Sequence, residues 1–150
     1  MPTLYFEDME IGRIQNFGSY NVTKEEMLDF AGKYDPQSFH TDEEAAKKSV
    51  FGALCTSGWH TGAMTMSMLV ANMKATGFAS LGSPGLDNLN WKLPVFAGDV
   101  LSVQSELIEK RESKSRPNLG LVKIKQKTLN QKGETVMELT ANAMVARRPV

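Results

Sequence analysis

From Ser57 to Lys74 the chain runs 18 residues without a proline, and Trp59, Ala63, Met66, Val70 and Met73 recur within it at three- and four-residue spacing. Met64, Met68 and Leu69 widen the stripe. The spacing predicts one long helix, apolar nearly all round and therefore buried. Such a helix constrains everything else, because other elements must cover it. The 150 residues suffice for one domain built around it, spanning 1–150.

The cover is legible in the second half of the chain. Leu101, Val103, Ser105 and Leu107 alternate with Ser102, Gln104 and Glu106, the period of a half-buried strand. Leu119 to Leu129 and Thr135 to Val145 read as two more strands around the polar turn Asn130-Gln131-Lys132-Gly133. Arg111 to Pro117 reads as a hairpin loop, and Pro94 with Gly98-Asp99 punctuates the segment before the first strand. Upstream, Thr23 and Glu26 form a capping-box pattern for a helix over about 24–33, and Thr41 with Glu44 repeats it for a short helix through about Lys48. The sum is an α+β chain, a long antiparallel sheet wrapped around a central helix.

Composition excludes several functions. Lys and Arg together number 17, as do Asp and Glu, so no net field draws in nucleic acid or an anionic membrane. The acidic start MPTLYFEDMEIG lacks the pattern of a signal peptide and no apolar stretch reaches the length of a membrane span, which predicts a cytoplasmic protein. One cysteine and two histidines offer neither a disulfide framework nor a cluster spaced for a metal.

Chemistry concentrates between Tyr34 and Met64. Asp35 and His40 stand at the two ends of a short Pro-containing loop, followed by a Gly-rich turn into the long helix. A carboxylate, an imidazole and the backbone N–H groups of a helix start are the parts needed to move protons beside a developing oxyanion. Each residue also has a plainer reading. Asp-Pro commonly opens a turn, and a lone histidine at a helix entry commonly bonds a nearby carbonyl. His60 reads as a satisfied core histidine, Cys55 as a small buried residue, and the methionines as adaptable core, one or two of them open to lining a ligand tunnel. Lys47, Lys48, Arg147 and Arg148 read as solvated surface, with contact to the phosphates of a ligand as the other use.

Three segments together resemble the MaoC-like dehydratase group of the hotdog-fold superfamily, whose best-understood members are R-specific enoyl-CoA hydratases. They are YFEDMEIG at the amino terminus, DPQSFH with FGALCTSG ending at Gly58, and KLPVFAGD from Lys92 to Asp99. Asp, four residues, His, and a glycine 18 residues beyond the histidine is the family's spacing. The resemblance implies a hydro-lyase acting on a 2-enoyl or 3-hydroxyacyl thioester carried by CoA or acyl carrier protein, with no cofactor and no metal. Asp35 would act chiefly as base toward a water it shares with His40, and the Gly58 N–H would face the thioester oxygen. Ser57, Trp91 and Phe96 are expected to contact the substrate, the two aromatics otherwise being core. In studied hydratases a serine eight residues after that glycine supports the aspartate; Met66 stands there, between Thr65 and Ser67. The resemblance also implies a homodimer or higher homo-oligomer, with the site at the two-fold interface.

Two other functions stay open on sequence. Hotdog thioesterases commonly carry a carboxylate on the central helix, and Ser57 to Lys74 has none. A non-catalytic thioester-binding subunit would be expected to lose the Asp/His pair, and both are present.

Overall fold

A computed structural model of the chain describes residues 2–150. Five antiparallel strands, β1 (Ile14–Asn21), β2 (Ser80–Trp91), β3 (Val100–Glu112), β4 (Leu119–Leu129) and β5 (Thr135–Ala146), form one sheet in the order β1-β3-β4-β5-β2. Between β1 and β2 come α1 (Lys24–Tyr34), the short α2 (Ser38–Thr41) and α3 (Glu43–Lys47), then the long α4 (Gly58–Thr76), which packs against β1 and β3. This is the expected α+β arrangement. The main core lies between α4 and the sheet and includes Met64, Met68, Leu101, Val103, Val136 and Met137. No helix among the described residues is long and apolar enough to cross a membrane.

Two strands escape the sequence pattern. β1 contains Gly18 at a break in its register with β3, with φ of 85°, and a Cβ there would lie 2.5 Å from Met68 Sδ. Glycine is needed at that bulge both for backbone angle and for the close approach of α4. β2 opens with Ser-Leu-Gly-Ser-Pro-Gly, a composition that reads as loop. It is held by pairing with β5 through three register shifts, and almost all of it is exposed.

The long helix differs from expectation in which face it buries. Inside are His60, Thr61, Met64, Thr65 and Met68; Trp59, Met66 and Val70 are 62%, 49% and 37% exposed. The apolar stripe read from the spacing is the outer face. The polar residues can lie inside because partners meet them there: Thr65 Oγ1 donates to Thr61 O at 2.8 Å and lies 2.7 Å from Thr128 Oγ1 on β4. The second capping box is also displaced. Asp42, not Thr41, caps α3 by accepting from the N–H groups of Glu44 and Ala45, so His40 sits inside α2 rather than at the entry of the next helix.

The amino-terminal segment closes a second core cluster of Phe6, Leu107, Val122 and Val145. Arg147 pairs with Glu7 at 3.0 Å, and Arg148 pairs with Asp8, so these arginines bind the chain's own ends together. The Arg148 N–H and the Arg147 guanidinium hold the Glu7 carboxyl down at about 2. Because Phe6 is 5% exposed at the centre of this cluster, Phe6→Ala is expected to cost about 3 kcal/mol or more of unfolding free energy, read from the midpoint of urea denaturation.

Candidate active site

Pro36 disfavours helical backbone at the residue before it, so α1 stops at Tyr34 and Asp35 becomes its C-cap. The chain then turns tightly: the Gln37 N–H donates to Asp35 O at 2.8 Å and the His40 N–H to Gln37 O at 2.9 Å. That turn brings His40 back beside Asp35, with Nε2 3.5 Å from Oδ2. His40 is 6% exposed, walled by Phe39 edge-on at 4.6 Å between ring centres. Its Nδ1 lies 2.8 Å from Cys55 O. A carbonyl only accepts, so Nδ1 carries the hydrogen and the neutral ring presents a lone pair at Nε2.

Asp35 is held from two sides. Ser57 Oγ donates to Oδ2 and Gln37 Nε2 to Oδ1, both at 2.7 Å. Burial works against the charge on Asp35, but these two donors, with His40 beside them, outweigh it and hold the carboxyl below the usual carboxylate range. Ser57 is wholly buried and is also the N-cap of α4, accepting from the Trp59 N–H. It is the hydroxyl partner of Asp35 that the serine position at Met66 does not provide. Met66 lies on the outer face of α4 beside Ala63 and Val70.

Gly58 is the first residue of α4. Its N–H belongs to the first turn, whose amides have no intrahelical acceptor, and the positive end of the helix dipole lies there. The glycine itself is required by an indole. Trp91 Nε1 donates to Gly58 O at 2.8 Å, and a Cβ at residue 58 would lie 2.5 Å from Trp91 Cε2. Trp59 packs edge-on to the same indole at 5.1 Å.

These groups share one cavity. Asp35, His40, Gly58 and Trp91 line it, together with Phe51, Cys55, Thr56 and Thr61 and a wall from Lys92 to Val95. Phe96 does not line it: its backbone bridges to Cys55 and leaves Val95 facing inward. Ser57 contacts Asp35 rather than the open space. Thr61 and Gln37 are members that spacing alone does not single out; Thr61, three residues after Gly58 on a helix, had a detectable signal in that register. His60 is a core residue with both nitrogens engaged, by Thr56 Oγ1 and by Glu26 Oε1 at 3.0 Å, and it stacks on Phe30 at 4.8 Å. Cys55 is buried, which pushes its thiol up, away from nucleophilic use.

Comparison with known proteins bears on the family and the fold. The sequence is 28% identical over 144 residues to the uncharacterized protein YdeM of Bacillus subtilis, covering 94% of this chain and 98% of that one. It is 26% identical over 120 residues to the 3-hydroxybutyryl-CoA dehydratase of Methylorubrum extorquens, covering 79% and 73%. Among solved structures, the MaoC-like dehydratase from Rhodospirillum rubrum superposes with a TM-score of 0.88 at 40% identity, over 98% of this chain and 99% of that one. A Mycobacterium tuberculosis protein with a double hotdog fold superposes with a TM-score of 0.78 at 14% identity, over 98% of this chain and 45% of that one, which identifies the fold as a hotdog. The pattern of the MaoC like domain spans residues 8–130, taking in the loop, the helix start and most of the sheet that carries them, and the chain belongs to the MaoC-like dehydratase family.

Proposed function

We propose that the protein is a hydro-lyase that adds water to, or removes it from, the acyl part of a 2-enoyl or 3-hydroxyacyl thioester, with CoA as the carrier. One observation carries this reading: Asp35 Oδ2 and His40 Nε2, 3.5 Å apart on one cavity wall, are both hydrogen-bond acceptors. Two acceptors at that separation suit a water that donates one hydrogen to each, leaving its oxygen lone pair for the β-carbon. As the C–O bond forms, the proton passes to the dyad and the double-bond electrons move to the thioester oxygen. The enolate so formed faces the Gly58 N–H at the helix start, where negative charge is favoured. The enolate then collapses as the α-carbon takes a proton from the dyad, and atoms and charge balance without an external acid. The dehydratase name of the Methylorubrum extorquens relative and the family assignment support the same reaction class.

Asp35 and His40 are the catalytic residues, Gly58 the oxyanion donor and Trp91 a wall against the thioester. Ser57 is a positioning residue for Asp35. A thioesterase of the type with a helix carboxylate is disfavoured, since Gly58–Thr76 carries no Asp or Glu.

We also propose a homodimer. The outer face of α4, with Trp59, Met66 and Val70, and the edge strand β2, with Leu81 and Leu86 about half exposed, put apolar surface and unpaired backbone on one molecule. A second copy related by a two-fold axis would cover both.

Incubation with crotonyl-CoA is expected to bleach the enone absorbance without releasing free thiol; thiol release would favour the thioesterase instead. Asp35→Asn and His40→Asn should each lower kcat by at least about a hundredfold, and the double variant should lose far less than the product, since two groups on one water act as a unit. Near-full activity in Asp35→Asn would remove the dyad from the mechanism.

The charge on Asp35 also depends on its donors. Its carboxyl is lowered in the folded protein, so it stays charged until pH falls through that lowered value, and with it goes the stability that charge contributes above the unfolded value. Ser57→Ala removes a donor to the charged form and should raise the Asp35 carboxyl titration followed by NMR. An unmoved titration would show that Ser57 does not tune Asp35.

For assembly, Met66→Glu places a charge on the outer face of α4 away from the cavity. Light scattering at micromolar concentration should show a dimer for the natural chain and a shift toward monomer for this variant. A natural chain that is monomeric and still turns over substrate would defeat the dimer.

A further inference from the structure

Three threonines lie on α4, and two of them behave as helical threonines usually do. Thr65 Oγ1 donates to the carbonyl of Thr61 at 2.8 Å, and Thr76 Oγ1 to that of Asn72 at 2.9 Å, each four residues back. Thr61 is the exception. It is 2% exposed, yet its hydroxyl has no hydrogen-bond partner among the described residues. No fully enclosed side-chain nitrogen or oxygen among the described residues lacks a partner. The small accessible part of Thr61 is therefore its hydroxyl, and the space it reaches is the cavity of Asp35 and His40. Three residues after Gly58, it lies on the same helical face, one turn deeper than the amide assigned to the thioester oxygen.

We propose that Thr61 is a specificity residue that reads a neutral oxygen substituent, a hydroxyl or a carbonyl, on the acyl group next to the reacting carbons. This rests on the hydro-lyase reading and names its substrate class. A plain alkyl group would cover the Thr61 hydroxyl and leave it without a partner, which costs free energy that an oxygen substituent recovers. Neutrality follows from the surroundings. Asp35 is the ionised carboxylate of the cavity, and Cys55, Thr56 and Val95, which line it with Thr61, are uncharged. The cation on the cavity wall, Lys92, is half exposed and 3.5 Å from Glu138. An anionic substituent would meet Asp35 with no buried cation to offset it. The group is also short. One turn beyond Thr61 the hydroxyls of Thr65 and Thr128 lie 2.7 Å apart, each 2% exposed or less, and close α4 onto β4.

The test compares two CoA thioesters of equal heavy-atom count, 4-hydroxycrotonyl-CoA and 2-pentenoyl-CoA, with crotonyl-CoA as the reference. The natural chain is expected to favour the hydroxylated substrate by about tenfold or more in kcat/KM, the scale of one neutral hydrogen bond. Thr61→Val, equal in volume but without the hydroxyl, should bring that ratio close to one, and Thr61→Ser should keep it. A natural chain with no preference, or a ratio that survives in Thr61→Val, overturns the assignment while leaving the hydro-lyase reading standing. Hydration of none of the three thioesters overturns the hydro-lyase reading itself, and this assignment with it.

Discussion

The Ser57 hydroxyl is the joint on which the site depends. It caps α4 by accepting from the Trp59 N–H, and it donates to Asp35 at the end of α1. One side chain thus fixes where the long helix begins and where the carboxylate points. Buried and uncharged, it can do both because a hydroxyl donates once and accepts twice. The Asp35 turn, the His40 ring and the Gly58 amide are then placed relative to each other by short chain segments rather than by the sheet. The sheet holds α4 from below. The Trp91 indole, at the end of β2, holds its first residue from the side.

The inside of α4 shows how a helix can look apolar all round and still bury its polar face. His60, Thr61 and Thr65 are all nearly inaccessible. Two of them satisfy their polar atoms within the protein, through Glu26, Thr56 and Thr128. Burying a polar group with a partner costs little, whereas the same residue in an alkane-like interior would cost several kcal/mol. The large apolar residues left outside carry no such penalty in the monomer beyond lost burial, which a second copy covering them would recover.

Much of the site was legible before the fold was known, because local chemistry specifies it. The Asp35-Pro36 break, the spacing to His40 and the Gly58 turn are set within 24 consecutive residues, and each enforces its own backbone. The strand β3 shows its period of two, and β4 and β5 are marked by the polar turn between them. What stayed hidden depended on distant partners. β2 is Gly- and Ser-rich and becomes a strand only because β5 pairs with it. β1 is interrupted by a bulge whose glycine makes sense only when Met68 is packed against it. The choice of Asp42 over Thr41 as cap turns on which of two adjacent side chains reaches the N–H groups of Glu44 and Ala45. Arg147 and Arg148 look free until the other end of the chain arrives. Periodicity reads α4 as apolar nearly all round and does not single out the buried face, because it counts apolar residues and not satisfied hydroxyls.

The depressed pKa of Asp35 bears on how the dyad would divide its work. A carboxylate stabilised by Ser57 and Gln37 stays ionised, which keeps it oriented and able to accept, but the same stabilisation makes it a weaker base. An imidazole is in general the stronger base of the two side-chain types. With Nδ1–H committed to Cys55 O, the open position on His40 is Nε2, which faces both Asp35 and the cavity. In the proposed reaction a proton leaving water would therefore pass to His40 Nε2, 3.5 Å from the Asp35 carboxylate. On that proposal the proton on His40 would offset the Asp35 charge while the enolate forms opposite the helix start. On this proposal Asp35 would orient the water and His40 would take its proton, and the Ser57 bond, by keeping Asp35 ionised, would separate the two roles.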